Sequence, residues 1–326
     1  MEKKSKKKII LVIIGIILFI LILGDILVAN YLVSFALKRT EPDSGKSVSP
    51  KSNISDEIQI AIDENKEKIS QNTEYWLATL DSETVEIQSD DGLSLKAEIL
   101  ENSENTHSWV IIVHGYGWEH SKMYPYVGMY AEQGYQILMP DLRGCGESEG
   151  DYVGMGWLDR KDMLQWIHLI CERDSEAEIV LHGVSMGGAT VMMTSGEDLP
   201  DNVRAVVDDC GYTSVWDIFS DELSYLYHLP DFPFMYTADV ISKIRAGYSF
   251  KEASAVEQIK KAKVPVLFIH GTADSFVHPE MVYTLYDACP TEKELYLTEG
   301  VGHASSLYFD PDTYSEKVFD FLNRQQ

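Results

Sequence analysis

With 326 residues, 45% hydrophobic and 11% aromatic, the chain has ample material for a packed core, in one large domain or two small ones. Its formal charge of -25 is unevenly placed: five lysines fall within the first eight residues, so the remainder is more acidic than the total suggests. Such a body repels nucleic acid and anionic headgroups, which argues against nucleic-acid binding and leaves solubility as the plain use of the charge.

In chain order, MEKKSKKK (1–8) reads as a basic tail. Residues 9–24 are sixteen uninterrupted apolar positions, and the run continues to Leu37 broken only by Asp25, Asn30, Tyr31 and Ser34. Crossing the hydrocarbon of a bilayer takes about 20 residues of helix, so 9–37 predicts one transmembrane helix. A secretory signal peptide begins in the same way with a shorter run, and Ser34-Phe35-Ala36 offers a small-residue cleavage site. The length of the run favours an uncleaved anchor; cleavage would make the protein secreted. Five lysines before the span against Lys38 and Arg39 after it put the N-terminus in the cytoplasm and the body outside a single-pass cell-membrane protein. The four cysteines (Cys145, Cys171, Cys210, Cys289) match neither a zinc pattern nor a small disulfide scaffold, and free thiols are the simpler reading.

Residues 38–74 are polar and rich in Ser, Lys, Asp and Glu, and read as a stalk. Its second part could form a short amphipathic helix on Ile58, Ile60, Ile62 and Ile69. One domain follows, 75–326. It opens with a predicted hairpin, SETVEIQS and LSLKAEIL around the turn Asp90-Asp91-Gly92. Six short apolar runs come next: WVIIVHG, YQILMPD, EIVLHG, VRAVVDD, VPVLFIHG and ELYLTEG. Runs of this kind suit strands buried on both faces of a parallel sheet, and helical patterns alternate with them. The pattern predicts an open, mostly parallel α/β sheet with helices on both faces. Ligand chemistry in such sheets gathers at the carboxyl ends of the strands, where His114, Asp141, Ser185, Asp209, Asp274 and His303 all fall.

The stretch HGVSMGG (182–188) places Ser185 between Gly183 and Gly187, after an apolar strand and before a helix of small residues. An ordinary glycine-rich turn would use the same glycines, and a phosphate loop would need a lysine that is absent. The strand–turn–helix setting instead suits a nucleophile elbow. Serine needs a base, and His303 in TEGVGHASS lies between the last strand and the terminal helix. Asp274, following VPVLFI in HGTADSFV, is placed to orient that imidazole. An anionic intermediate needs donors, supplied by the backbone N–H groups of Met186 and of Tyr116 in HGYG (114–117).

With HGYG, PDLRGCGESEG (140–150), HGVSMGG, DDCGYTS (208–214), VPVLFIHGTAD (264–274) and GVGH (300–303), residues 75–326 resemble the serine α/β-hydrolases. Within them the chain is similar to bacterial, N-terminally anchored esterases related to the dienelactone-hydrolase and acylaminoacyl-peptidase (S9-like) branches. The resemblance implies an eight-stranded, mostly parallel sheet, a catalytic triad Ser185–Asp274–His303 in the superfamily's chain order, and a small helical lid at about 213–262. It also ranks Asp274 above the rival acid Asp209. The activity implied is carboxylic-ester hydrolysis through an acyl-enzyme, with no metal or organic cofactor and a small ester as substrate. A serine peptidase acting on short peptides is the alternative; a non-catalytic binding protein that keeps the fold is a third reading.

Overall fold

The computed structural model describes residues 2–39, 54–103 and 106–325, with side chains from Lys7 onward. Helix α1 (Glu2–Leu37) contains the N-terminal apolar run and is the one described helix long and apolar enough to cross a membrane, as an anchor or a signal sequence would. Of the segment read as a stalk, residues 40–53 lie outside the described residues. Its second part is α2 (Asp56–Leu77), capped by the Ser55 hydroxyl accepting from the Ile58 N–H. This helix buries Ile62, Ile69 and Thr73 against the domain, so the packed body begins N-terminal to residue 75.

Eight strands form a single sheet in the order β1-β2-β4-β3-β5-β6-β7-β8. The predicted hairpin is β1 (Asp81–Gln88) and β2 (Ser94–Glu101), and the six apolar runs are β3 (Ser108–Val113), β4 (Gln136–Pro140), β5 (Glu178–Val184), β6 (Val203–Asp209), β7 (Val266–Gly271) and β8 (Lys293–Thr298). Only the β1–β2 and β2–β4 pairs are antiparallel. Between β3 and β4, Pro125 interrupts the expected helix, leaving a 3-10 turn (His120–Tyr126) and a short α3 (Val127–Ala131). The remaining body helices are α4 (Asp159–Arg173), which follows β4, and α5 (Met186–Ser195), which follows β5. The lid helices are α6 (Val215–Tyr227) and α7 (Phe234–Arg245). Then come α8 (Ala255–Ile259), α9 (Glu280–Ala288), α10 (Ser306–Phe309) and α11 (Pro311–Leu322). Helix α8, inside the range read as lid, packs on α5 in the body, whereas α7 packs on α1.

Alternate residues of each central strand feed two cores. Ile111, Val113, Ile179 and Leu181 face Met163, Trp166 and Ile170 of α4 and the small residues of α5; Val110, Ile112, Val180 and Val184 face Tyr130 of α3 and Tyr314 and Phe321 of α11. The pairing Val113↔Gly183 and Val184↔Asp209 ends β3, β5 and β6 at one level, so the loops after them converge on one edge of the sheet.

Candidate active site

Ser185 occupies the single residue between β5 and α5, at φ 57° and ψ −115°, a strained conformation for a side chain that is not glycine. The turn is closed so tightly that a Cβ on Gly183 would strike the Gly187 carbonyl, and one on Gly187 would strike that of Val113. Both glycines are therefore steric requirements of the elbow. The Ser185 N–H donates to the Asp209 carbonyl at 2.8 Å, tying the turn to the end of β6.

His303 lies on the loop between β8 and α10. Its Nε2 is 2.8 Å from Ser185 Oγ, and its Nδ1 is 2.7 Å from Asp274 Oδ2. Asp274 has no exposed side-chain surface, and its other oxygen accepts the backbone N–H groups of Phe276 and Val277, both at 2.9 Å. The carboxylate is thus held by its own loop and presents one oxygen to the imidazole. Phe276 also packs edge-on against the His303 ring, with centroids 5.0 Å apart. His270 stands behind, 3.4 Å from the same carboxylate; burial pushes its pKa down, so it is neutral, with its Nε2–H donating to the Val277 carbonyl at 2.8 Å.

The rival acid Asp209 points elsewhere. Its Oδ2 accepts from the Tyr314 hydroxyl at 2.9 Å on the α11 side of the sheet, its Oδ1 has no partner, and burial raises its pKa to about 6.

The loop after β3 lies against the serine: a Cβ on Gly115 would stand 3.5 Å from that of Ser185. His114 fixes this loop. Its Nδ1–H donates to the Gly115 carbonyl at 2.8 Å and its Nε2 accepts the Leu142 N–H at 3.0 Å, while burial keeps the ring neutral. Tyr116 follows Gly115 on this loop and Met186 follows Ser185, and neither backbone N–H donates to a partner among the described residues. Met186 opens α5, so its N–H has no intrahelical acceptor and sits at the positive end of the helix. The Tyr116 hydroxyl, its pKa pushed up to about 12 by burial, donates to the Ala36 carbonyl of α1 at 2.7 Å.

The structure therefore brings together every site residue read from the sequence: Ser185, His303, Asp274, Tyr116, Met186, Gly183 and Gly187. Sequence reasoning placed His114 at a strand end without its part in the loop, and missed the supporting His270, Phe276 and Ala36, whose parts depend on contacts across the fold. Cys210, after β6, has its sulfur within 4.8 Å of the ligand atoms of Asp274 and His303. Burial and the neighbouring carboxylates push that thiol pKa well up, so it stays protonated and neutral, a poor metal ligand beside an acid and imidazole already bonded to each other. None of the four cysteines is paired.

Fold and site together define the class: the chain has the α/β-hydrolase fold. Two serine hydrolase families match it, serine aminopeptidase S33 over residues 104–214 and FSH1 over residues 240–304. Protein YqkD of Bacillus subtilis is 29% identical over 224 residues, covering 67% of this chain and 72% of the relative. YfhR of Escherichia coli K12 is 26% identical over 250 residues, 74% of this chain and 80% of that one. Among solved structures, the esterase Pf2001 of Pyrococcus furiosus superposes with a TM-score of 0.61 at 21% identity, over 79% of this chain and 95% of that one. The acylaminoacyl peptidase of Pyrococcus horikoshii superposes with a TM-score of 0.56 at 18% identity, over 76% of this chain but 42% of the peptidase. At such identities the likeness is one of fold.

Proposed function

We propose that the protein hydrolyses carboxylic esters through Ser185, His303 and Asp274, by way of an acyl-enzyme. The observation that carries this reading is the unbroken relay Ser185 Oγ–His303 Nε2 at 2.8 Å and His303 Nδ1–Asp274 Oδ2 at 2.7 Å. His303 accepts the serine proton as Oγ attacks the carbonyl, and Asp274 fixes the tautomer and stabilises the imidazolium. The N–H groups of Met186 and Tyr116 receive the developing oxyanion. Protonation of the leaving alcohol by His303 leaves the acyl-serine, which water hydrolyses with the same base.

An ester is the substrate class named for the Pyrococcus furiosus neighbour and a peptide for the acylaminoacyl peptidase, so the two are compared side by side. The test uses the full chain in detergent with nitrophenyl esters and, in parallel, aminoacyl nitroanilides. Ser185→Ala lowers kcat on esters by ~10⁴ or more, with labelling by a fluorophosphonate lost as well. Equal rates in both proteins would overturn the assignment, and faster turnover of the anilides would pass it to a peptidase.

We further propose that α1 is a single membrane span that is not cleaved, with the N-terminus in the cytoplasm and the hydrolase domain outside. The lysines before the span support the orientation. Retention is supported by burial, since the small-residue site Ser34-Phe35-Ala36 is flanked by Val33 and Leu37, both fully buried against the domain.

A further inference from the structure

We propose that the lid is seated on the same bilayer that α1 crosses, and that the esters reaching Ser185 are amphiphiles dissolved in that bilayer. This rests on the two readings above, that α1 spans and that Ser185 acts on esters.

The argument starts from a change of character along α1. From Ile9 to Gly24 the helix is exposed on every side. Burial begins at Asp25 and then follows a seam, with Ala29, Val33 and Leu37 inaccessible to solvent. Sixteen residues of helix rise about 24 Å, short of a hydrocarbon layer of about 30 Å. The span therefore uses the whole exposed segment, and the outer boundary of the hydrocarbon falls at or just past Asp25. Whatever part of the domain touches Asp25 stands at the lipid–water boundary.

That part is the lid helix α7. The Thr237 hydroxyl bonds Asp25, and further along both helices Arg245 donates to Asn30 Oδ1 at 2.7 Å and to Ser34 Oγ at 2.8 Å. The two helices thus run in the same direction, with the first turn of α7 and the loop before it nearest the bilayer and Arg245 farthest from it. The surface of α7 that α1 leaves uncovered is apolar at steps of four: Phe232 is 75% exposed, Tyr236 49%, Val240 58% and Ile244 78%. Outside α1, five of the eight large hydrophobic side chains exposed among the described residues lie on the lid, so the patch is concentrated there. Phe232 and Tyr236 pack edge to face at the low end; Tyr is enriched at headgroup depth, and Phe is a residue that interfacial helices bury at the headgroup–acyl boundary. Val240 and Ile244, about 6 and 12 Å farther along α7, carry the apolar stripe up from that surface.

The end of α1 joins the span to the site, about 16 Å of helix beyond Asp25. There the Ala36 carbonyl accepts from the Tyr116 hydroxyl at 2.7 Å, so the helix that crosses the bilayer and holds the lid also holds the loop beside Ser185.

The test places the full chain in phosphatidylcholine nanodiscs. Single cysteines at Ile17→Cys, Phe232→Cys and Asp198→Cys, each with Cys171→Ser, carry an environment-sensitive fluorophore, and nitroxide-bearing lipids serve as quencher. Quenching at 17 and 232 but not at 198 is the expected result. Quenching at 17 with 232 behaving like 198 would overturn the lid contact and leave the span intact; no quenching at 17 would overturn both. Because this reading needs no turnover, it is separate from the fate of the catalytic assignment. For the substrate class, the ratio of hydrolysis rates is measured between nitrophenyl palmitate held in the disc and nitrophenyl acetate in water. Phe232→Asp with Tyr236→Ser lowers that ratio about tenfold. An unchanged ratio would overturn delivery from the bilayer, and so would a wild-type protein that hydrolyses neither ester.

Discussion

Asp209 ends a parallel strand and Asp274 follows closely on another, and the sequence offers both as the acid. The backbone after each strand decides between them. At Asp274 the chain turns so that the Phe276 and Val277 N–H groups hold one carboxylate oxygen and aim the other at His303, whereas Asp209 turns back towards Tyr314. Asp274→Asn is therefore expected to cut kcat by ~10⁴ through loss of the correct imidazole tautomer, measured on a soluble nitrophenyl ester. Asp209→Asn should leave kcat within about fivefold and act on stability instead. Burial raises the folded pKa of Asp209 from 3.8 to about 6, so the native state holds this proton more tightly than the unfolded chain. Its contribution to stability is intact below pH 4, is lost as pH rises to 6, and stays lost above; the loss is on the order of 3 kcal/mol. An asparagine has no proton to lose, so the melting temperature of the variant relative to wild type should climb between pH 4 and 6 and then level. A difference that is flat with pH would show that Asp209 ionises as freely in the fold as outside it.

The helix α1 shows why element-level reading stops short of assembly. Uniform apolarity over residues 9–24 is visible in the sequence, and so are the interruptions Asp25, Asn30 and Ser34, which read only as breaks in the run. In the fold these polar residues are where the lid holds the helix, and the seam between them buries Ala29, Val33 and Leu37. Arg39 continues the join by donating to the Ser148 and Gly146 carbonyls of the loop after β4. A protein beginning at residue 45 would lose all of this together with the tether on Tyr116. It should unfold at lower temperature, and its kcat on soluble esters should fall along with it. In the full chain, Leu37→Ala is expected to cost about 2–4 kcal/mol, read from denaturant unfolding in detergent. A truncated protein with full stability and full kcat would mean that the seam is incidental. Helix α2 is a milder case of the same kind. Its four isoleucines do not form a clear stripe, and Ile60 is indeed exposed, but Asn65 reaches the Phe309 carbonyl of α10 and braces the segment that follows His303.

Taken whole, the molecule was readable wherever chemistry is local in sequence. Short apolar runs marked β3 to β8, because a strand buried on both faces needs apolar residues throughout, and the turn between SETVEIQS and LSLKAEIL marked β1 and β2. The triad residues were readable because each sits where a parallel strand ends. Long-range joins were not: the Tyr116–Ala36 bond crosses 80 residues, and nothing in either neighbourhood announces the other. Charge is the one whole-molecule property that composition states outright, and it carries a prediction of its own. Most ion pairs among the described residues are exposed and contribute little, while Arg143, bonded through both Nε and Nη2 to Asp162 at 2.7 Å, is buried and shielded from salt. Repulsion within a chain of net charge -25 is then the main salt-sensitive term, and it opposes folding. Raising ionic strength from about 10 mM to about 300 mM shrinks the screening length from roughly 30 Å to less than 10 Å, which removes repulsion between distant carboxylates before it weakens pairs in contact. The melting temperature should therefore rise with sodium chloride over that range in a neutral detergent. A falling melting temperature would instead assign the net electrostatic contribution to the surface pairs, and with it a body held together by charge rather than strained by it.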